Sequence, residues 1–356
     1  LLFGALLLVV PPSGGFSLSA KACLKAALQP DAWVAQESGV LAHLSSVFFI
    51  DRERGWIAGS NGAMLMTEDG GSKWRRAPIG SRELLRDVFF LDPQRGFALG
   101  EYSLFNRPNS LPKERSFLLA SVDGGASWKD VLKSRHTIKP DDPKDYQGNG
   151  LLRLIFADEQ TGWACGETGL ILCTKDGGQN WHTQISPTRK LLYGVTAISN
   201  KQAWIVGAGG IILRTIDGGE QWNEQTSNTR QTLRAVHFLD EKRGWAVGGG
   251  GTIISTINGG NRWRAQSSGV DEDLNSVFFT SASEGWAAGN RGTLLHTRDG
   301  GTTWEQVPLK ARSNLSRLFF IAPDCGWVVG TNGAVFKYQP SDAAPRPSLK
   351  NSKTGE

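Results

Sequence analysis

Only four cysteines, two methionines and four tyrosines occur in 356 residues, and no apolar run reaches the length of a membrane span. The cysteines (Cys23, Cys165, Cys173 and Cys325) form no Cys-x-x-Cys pair and join no histidine at zinc-ligand spacing, so no metal site is expected. Blocks of one charge sign are missing too. With 39 Lys and Arg against 34 Asp and Glu the formal charge is +5, too small and too scattered to indicate nucleic-acid binding. No cofactor-binding motif is legible, and no cofactor is expected. The longest apolar stretch, Leu1 to Val10, ends at Pro11 and Pro12, about half of the roughly 20 residues that a spanning helix needs. Its length suits the apolar region of a secretory signal, and Ala20-Lys21-Ala22 places small residues at the −3 and −1 positions of a cleavage site. Residues 1–22 are therefore expected to be a signal peptide truncated at its N-terminus, which makes this an exported protein. Ala20 and Lys21 are poor lipobox residues, which argues against a lipidated Cys23.

What the sequence has in abundance is glycine (44) and tryptophan (13), and both recur with a period. Trp163, Trp204, Trp245, Trp286 and Trp327 lie 41 residues apart, and Trp56 and Phe97 hold the same place earlier in the chain. A second series, Asp-Gly-Gly-x-x-Trp, ends at Trp74, Trp128, Trp181, Trp222, Trp263 and Trp304. One unit runs Leu274 to Phe279, then Gly285-Trp286-Ala287-Ala288-Gly289, then Gly292 to Thr297, then Asp299-Gly300-Gly301-Thr302-Thr303-Trp304. The alternating apolar pieces predict four strands, and the glycines predict the turns between them. Four strands in about 40 residues is the pattern of a propeller blade. The fold class expected is all-β: a seven-bladed propeller of four-stranded antiparallel blades.

The seventh unit, from Leu315 to Tyr338, has no Asp-Gly-Gly-x-x-Trp after it. The missing strand is legible at the other end, where Trp33 to Val40 matches Trp263 to Val270 and Trp33 precedes Leu44 by the same 11 residues that separate Trp263 from Leu274. The N-terminal strand should therefore close the ring and remove its open edge. The expected layout is a linker at 23–32, the propeller at 33–339 and a polar, Pro-containing disordered tail at 340–356.

Two units break the period. Gly96 to Asp123 spans 27 residues where other units have 14, and Trp128 to Leu151 spans 23 where others have 11. The extra residues fall around 102–117 and 133–150. One lengthens a hairpin between the second and third strands, the other a connection between blades, and both belong to the same face. Long loops on a rigid scaffold commonly carry function. On that face begin the inner strands. Aligning the units places Arg86 and Arg234 at one position and Arg153 and Arg317 one residue further along, so these four arginines are the candidate partner-binding residues at the mouth of the central channel. Cys165 and Cys173 flank a Gly166 to Gly169 turn, and alternation is expected to place them on opposite faces of their blade as small apolar core residues.

The units Thr-x-Asp-Gly-Gly-x-x-Trp resemble Asp-box, or BNR, repeats, found in sialidases, some endoglucanases, sorting-receptor ectodomains and a non-enzymatic assembly-factor family. Asp69, Asp123, Asp176, Asp217, Asn258 and Asp299 stand at the acidic position. They read as structural turn residues rather than catalysts, since Asn258 keeps the pattern with an amide. A sialidase-like site would need an arginine triad and a nucleophilic tyrosine, and only Tyr193 lies near an inner strand. A glucanase-like site would need two opposed carboxylates, and Asp87 alone is clear. The alternative to a binding scaffold is accordingly an Asp-box carbohydrate-active enzyme or glycan-binding propeller. Val47 to Gly59, reading Val-x-Phe-x-Asp-x-x-x-Gly-Trp-x-x-Gly, with the Asp-box following, is most similar to the photosystem II stability/assembly factor family. That resemblance implies an exported, non-catalytic protein of the thylakoid lumen or periplasm. It also implies a membrane-protein subunit or peptide as partner, a reaction-centre polypeptide in a photosynthetic host, bound through an arginine-rich patch. A monomer that binds no nucleic acid is expected.

Overall fold

The computed structural model describes residues 32–103, 115–132, 150–310 and 312–340. The expected signal, linker, Cys23, tail and most of both insertions lie outside these residues. Trp33–Tyr338 forms one compact unit. Seven four-stranded antiparallel sheets make it up. Their inner strands are Leu44–Phe49, Leu84–Phe90, Leu151–Phe156, Leu192–Ala197, Leu233–Phe238, Leu274–Phe279 and Leu315–Ala322, one for each of blades one to seven. The outermost strand of each of the first six blades is a stub of two or three residues, such as Glu305–Gln306. In blade seven that place is taken by Ala32–Gln36, which pairs with Val335–Gln339 and closes the ring.

The Phe and Gly-Trp of the repeat find their reason at the seams between blades. The last Phe of an inner strand stacks on the Trp of the preceding blade, as Phe279 does on Trp245 at 3.5 Å and Phe90 on Trp56 at 3.6 Å. Its edge meets the Asp-box Trp of its own blade nearly at right angles, as Phe279 meets Trp304 at 5.8 Å and 90°. In blade seven Trp33 supplies that second ring, 5.8 Å and 89° from Phe320. The glycine before each second-strand Trp makes room for the Phe: a Cβ on Gly285 would lie 2.4 Å from the Phe279 ring. A glutamine three residues after the Asp-box Trp locks several seams. Gln225 donates to the Gly259 carbonyl at 3.1 Å and accepts from Trp263 at 3.4 Å, and Gln184 and Gln266 repeat the bond to the next blade.

The two faces follow from the backbone bonds. Second-to-third-strand hairpins bond to the connections between blades, as Gly62 N–H does to the Glu83 carbonyl and Gly333 N–H to that of Ala42. We call this the hairpin face. On the opposite face each Asp-box bonds the first-to-second-strand loop of its blade, as Gly70 does with Glu53 and Gly300 with Ser283.

The expectation for Cys165 and Cys173 needs correction. In the ladder Trp163 opposes Cys173 and Cys165 opposes Ile171, so both thiols lie on the same face. The reason is the turn: a three-residue 3₁₀ segment, Glu167–Gly169, with Thr168 at φ 52°, adds one residue to the loop and shifts the register by one. Both side chains are buried in the packing between blades three and four. Burial pushes the Cys173 thiol up to about 11 and raises that of Cys165 further, so neither is poised to react.

Candidate functional site

Every inner strand carries a bulge near its start. Pairing skips Arg86 between Leu85 and Asp87, and Arg234 between Leu233 and Ala235. Arg153 and Arg317 are the first paired residues after the bulge in their own blades, opposite Cys165 and Val329. A bulge adds one residue and re-aims its side chain. The four arginines therefore divide into two levels at the same end of the axis.

Arg86 and Arg234 form the outer level, each with more than a third of its side chain exposed. Arg86 pairs with Glu101 of the neighbouring strand, its Nε 2.8 Å from the carboxylate. Arg234 donates to Asp273 at 2.8 Å and lies over the Tyr193 ring at 6.0 Å. Arg115 joins the group by bridging Glu101 at 3.0 Å and Glu167 at 2.7 Å. Glu167 also accepts from the Gly150 N–H at 3.0 Å, and Glu83 from the Ser103 N–H at 2.7 Å. The described ends of both insertions are thus tied into the ion pairs beside Arg86. His43 also lies at this mouth, its Nε2 2.9 Å from the Ser316 hydroxyl. Burial together with the Arg86 and Arg153 charges lowers its pKa, which keeps it neutral at neutral pH.

The inner level holds Arg153, Arg317 and the buried Asp87. Asp87 accepts from the Ser46 hydroxyl at 2.6 Å, the Leu154 N–H at 3.0 Å and the Val88 N–H at 3.2 Å, with Arg153 at 3.9 Å. Arg153 also donates to the Arg86 carbonyl at 3.3 Å. Arg317 makes no hydrogen bond or ion pair with a described residue. Desolvation, reinforced by Arg153 and opposed by Asp87, lowers its pKa to about 10, so it stays charged at neutral pH.

Sequence reasoning had located the arginines but not their partners. Glu101 and Glu167 share the position after the second-strand glycine, acidic in these two units alone, and Glu101 borders and Arg115 lies within the first insertion, which together were the available signal. Asp87, the clearest acid for a glycosidase, is sealed in the channel wall with its oxygens engaged. Tyr193 faces Arg234. Among the described residues no three of His, Cys, Asp and Glu gather to hold a metal.

On the opposite face the six turn residues share one geometry. The Asp299 carboxylate accepts from the Thr297 hydroxyl at 2.8 Å and from the Thr303 N–H at 2.8 Å. Asp69, Asp123, Asp176 and Asp217 accept the equivalent pair of bonds, and the Asn258 amide oxygen takes them at 2.9 Å.

Fold and repeat define a seven-bladed Asp-box propeller. The family model for photosynthesis system II assembly factor YCF48 matches residues 25–150, 145–230 and 220–313, and the chain belongs to that family. It is 32% identical over 137 residues to a photosystem II assembly lipoprotein Ycf48 of Synechococcus sp. (strain CC9902), a match covering 37% of this chain and 34% of that protein. The stretch matched is thus about a third of that relative's length. Among solved structures it resembles YCF48 bound to D1 peptide at 24% identity, with a TM-score of 0.70 over 88% of this chain and 96% of the other. It also resembles a GH74 xyloglucanase of Xanthomonas campestris at 12% identity, with a TM-score of 0.66 over 89% of this chain and 55% of the enzyme. Both structural likenesses are of fold.

Proposed function

We propose that this chain is an exported, non-catalytic scaffold that captures a peptide segment of a membrane-protein client on its hairpin face. In a photosynthetic host that client is a photosystem II reaction-centre-like polypeptide. The observation that carries this is the set of four arginines at one end of the axis, two exposed at the mouth and two beneath it. Guanidinium groups converging on a concave mouth hold carboxylates well, and they steer an acidic segment toward it. Arg234 is paired with the partly exposed Asp273, which an incoming acidic segment can replace because such ion pairs are weak, while Arg86 keeps more than a third of its side chain exposed beside the more buried Glu101. Family membership supports the same conclusion, as does the D1 peptide named in the related solved structure. Export to a periplasm or thylakoid lumen is supported by the lipoprotein named among the relatives. The scaffold acts as a monomer and needs no cofactor.

Catalysis on glycans is disfavoured by Asp87, whose carboxylate is engaged by the Ser46 hydroxyl and the Leu154 N–H. The test is affinity capture from the host with the native protein and with an Arg86→Glu/Arg234→Glu variant. Membrane-complex subunits should be recovered with the native protein and lost at least tenfold with the variant. Equal recovery by both, or turnover of a glycan panel, would overturn the proposal.

A further inference from the structure

The connections between blades run inward across the hairpin face, each leading to the leucine that pairs with the second-strand glycine, as Leu85 does with Gly100 and Leu233 with Gly248. Three residues before that leucine stand Leu41, Arg82, Arg189, Arg230, Asp271 and Arg312, in blades one, two, four, five, six and seven. The equivalent place in blade three lies outside the described residues. Hairpin glycines bond the carbonyl of the very next residue, Gly62 to Glu83, Gly251 to Glu272 and Gly333 to Ala42, which holds the position at a common place on the face. Four of these six connections therefore present an arginine, in a ring outside the mouth.

Arg82, Arg189, Arg230 and Arg312 are all exposed, and none makes a side-chain hydrogen bond or ion pair with a described residue. The first-to-second-strand loops of the opposite face also hold four arginines, and every one is paired: Arg52 with Asp324, Arg54 with Asp51, Arg95 with Asp92 and Arg243 with Asp240. Arginine is thus neutralised in one set of loops and left free in the other. Leu41, at the ring position of blade one, is 89% exposed, more than any other large apolar side chain among the described residues.

Exposed guanidiniums without carboxylates attract anions, and several fixed on one face add their attractions toward a charged surface. The four stand on separate connections spread around the ring, so a plane of headgroups meets them together. An aliphatic tip among them gains by entering the apolar boundary of that plane. We propose that the hairpin face docks on an anionic lipid surface through Arg82, Arg189, Arg230 and Arg312, with Leu41 inserted among the headgroups. Asp271, followed by Glu272 and Asp273, breaks the ring at blade six, so the contact is an arc from blade seven through blade one to blade five. This surface lies outside Arg86 and Arg234, and it stands whether or not a peptide is captured at the mouth.

Flotation of the purified chain with lipid vesicles tests it. Vesicles of phosphatidylcholine and phosphatidylglycerol in equal parts should carry the protein, and vesicles of phosphatidylcholine alone should not. Arg82→Gln/Arg189→Gln/Arg230→Gln/Arg312→Gln should weaken partition by at least about a hundredfold, since each base near an anionic surface is worth about fivefold. Lys73→Gln/Lys201→Gln/Arg262→Gln/Arg264→Gln removes the same charge from the Asp-box face and outer rim. It should bind within about threefold of the native protein, because charges more than a Debye length from the lipid are screened. Leu41→Ser should weaken binding with the charge unchanged. All nine side chains are exposed, so the variants should fold. Equal flotation with both kinds of vesicle, or equal loss in the two quadruple variants, would overturn the proposal. Full vesicle binding by the ring variant with loss of captured membrane-complex subunits would also overturn it, and would assign the ring to an acidic protein surface.

Discussion

Replacing Trp33 by alanine removes the ring that completes blade seven. The side chain is 9% exposed and lies 5.4 Å from Trp286, 5.8 Å from Phe320 and 5.4 Å from Tyr338. Its Nε1 has no hydrogen-bond partner among the described residues, so the loss is one of packing. Truncating a buried aromatic of this size costs about 3–5 kcal/mol, through lost transfer energy and the cavity left between blades six and seven. Trp263→Ala is the internal control. Trp263 holds the equivalent place in blade five and meets Phe238 at 5.8 Å and 85°, but its strand is held by chain on both sides. Both variants should lose several kcal/mol in equilibrium denaturation. Only Trp33→Ala should also speed hydrogen exchange along Val335–Gln339, the strand that Ala32–Gln36 covers. A cost below about 1 kcal/mol with unchanged exchange in that strand would refute closure of the ring by the N-terminal strand.

Two further outcomes follow from the same contacts. Asp87→Ala leaves Arg153 without the carboxylate 3.9 Å away and strips the Ser46 hydroxyl and Leu154 N–H of their acceptor. It should destabilise the fold by about 3–5 kcal/mol in urea titration, and an unchanged midpoint would mean that the channel charges are solvated. Acid sensitivity should come partly from the Asp-boxes. The Thr303 N–H and hydroxyl, then the Thr297 hydroxyl, hold Asp299 down to about 2, against 3.8 in the ordinary range. A depressed carboxylate contributes stability that is complete above its unfolded pKa and is lost as pH falls through the folded one. The Asp299 contribution should therefore fade between about pH 4 and pH 2. Asp299→Asn, which installs the amide that Asn258 already carries, should flatten that slope in thermal melts, and an unaltered slope would assign the acid sensitivity elsewhere.

Blade number, strand order and the ring closure at Trp33 were all legible in the sequence, because each repeat writes its own packing contacts locally. A Phe, a Gly-Trp and an Asp-box Trp recur together because each blade seam needs all three. The turn at Glu167–Gly169 was not legible, and the one residue it adds moved Cys165 and Cys173 onto one face. The alignment of units already put Arg86 and Arg234 at one position and Arg153 and Arg317 at the next, but the bulge between those positions, and the partner each arginine meets, were not legible in it.

The sequence by itself determined the architecture, since a 41-residue period of apolar and glycine positions admits one way of burying its faces. Only the tertiary structure decided the chemistry of the channel. Arg86 meets Glu101 and Arg234 meets Asp273, and each pair joins residues of separate strands or blades. A period records what every blade must repeat to pack against its neighbours. The charge balance at the axis is set by how seven different residues converge on one level, and that convergence exists only once the ring is closed.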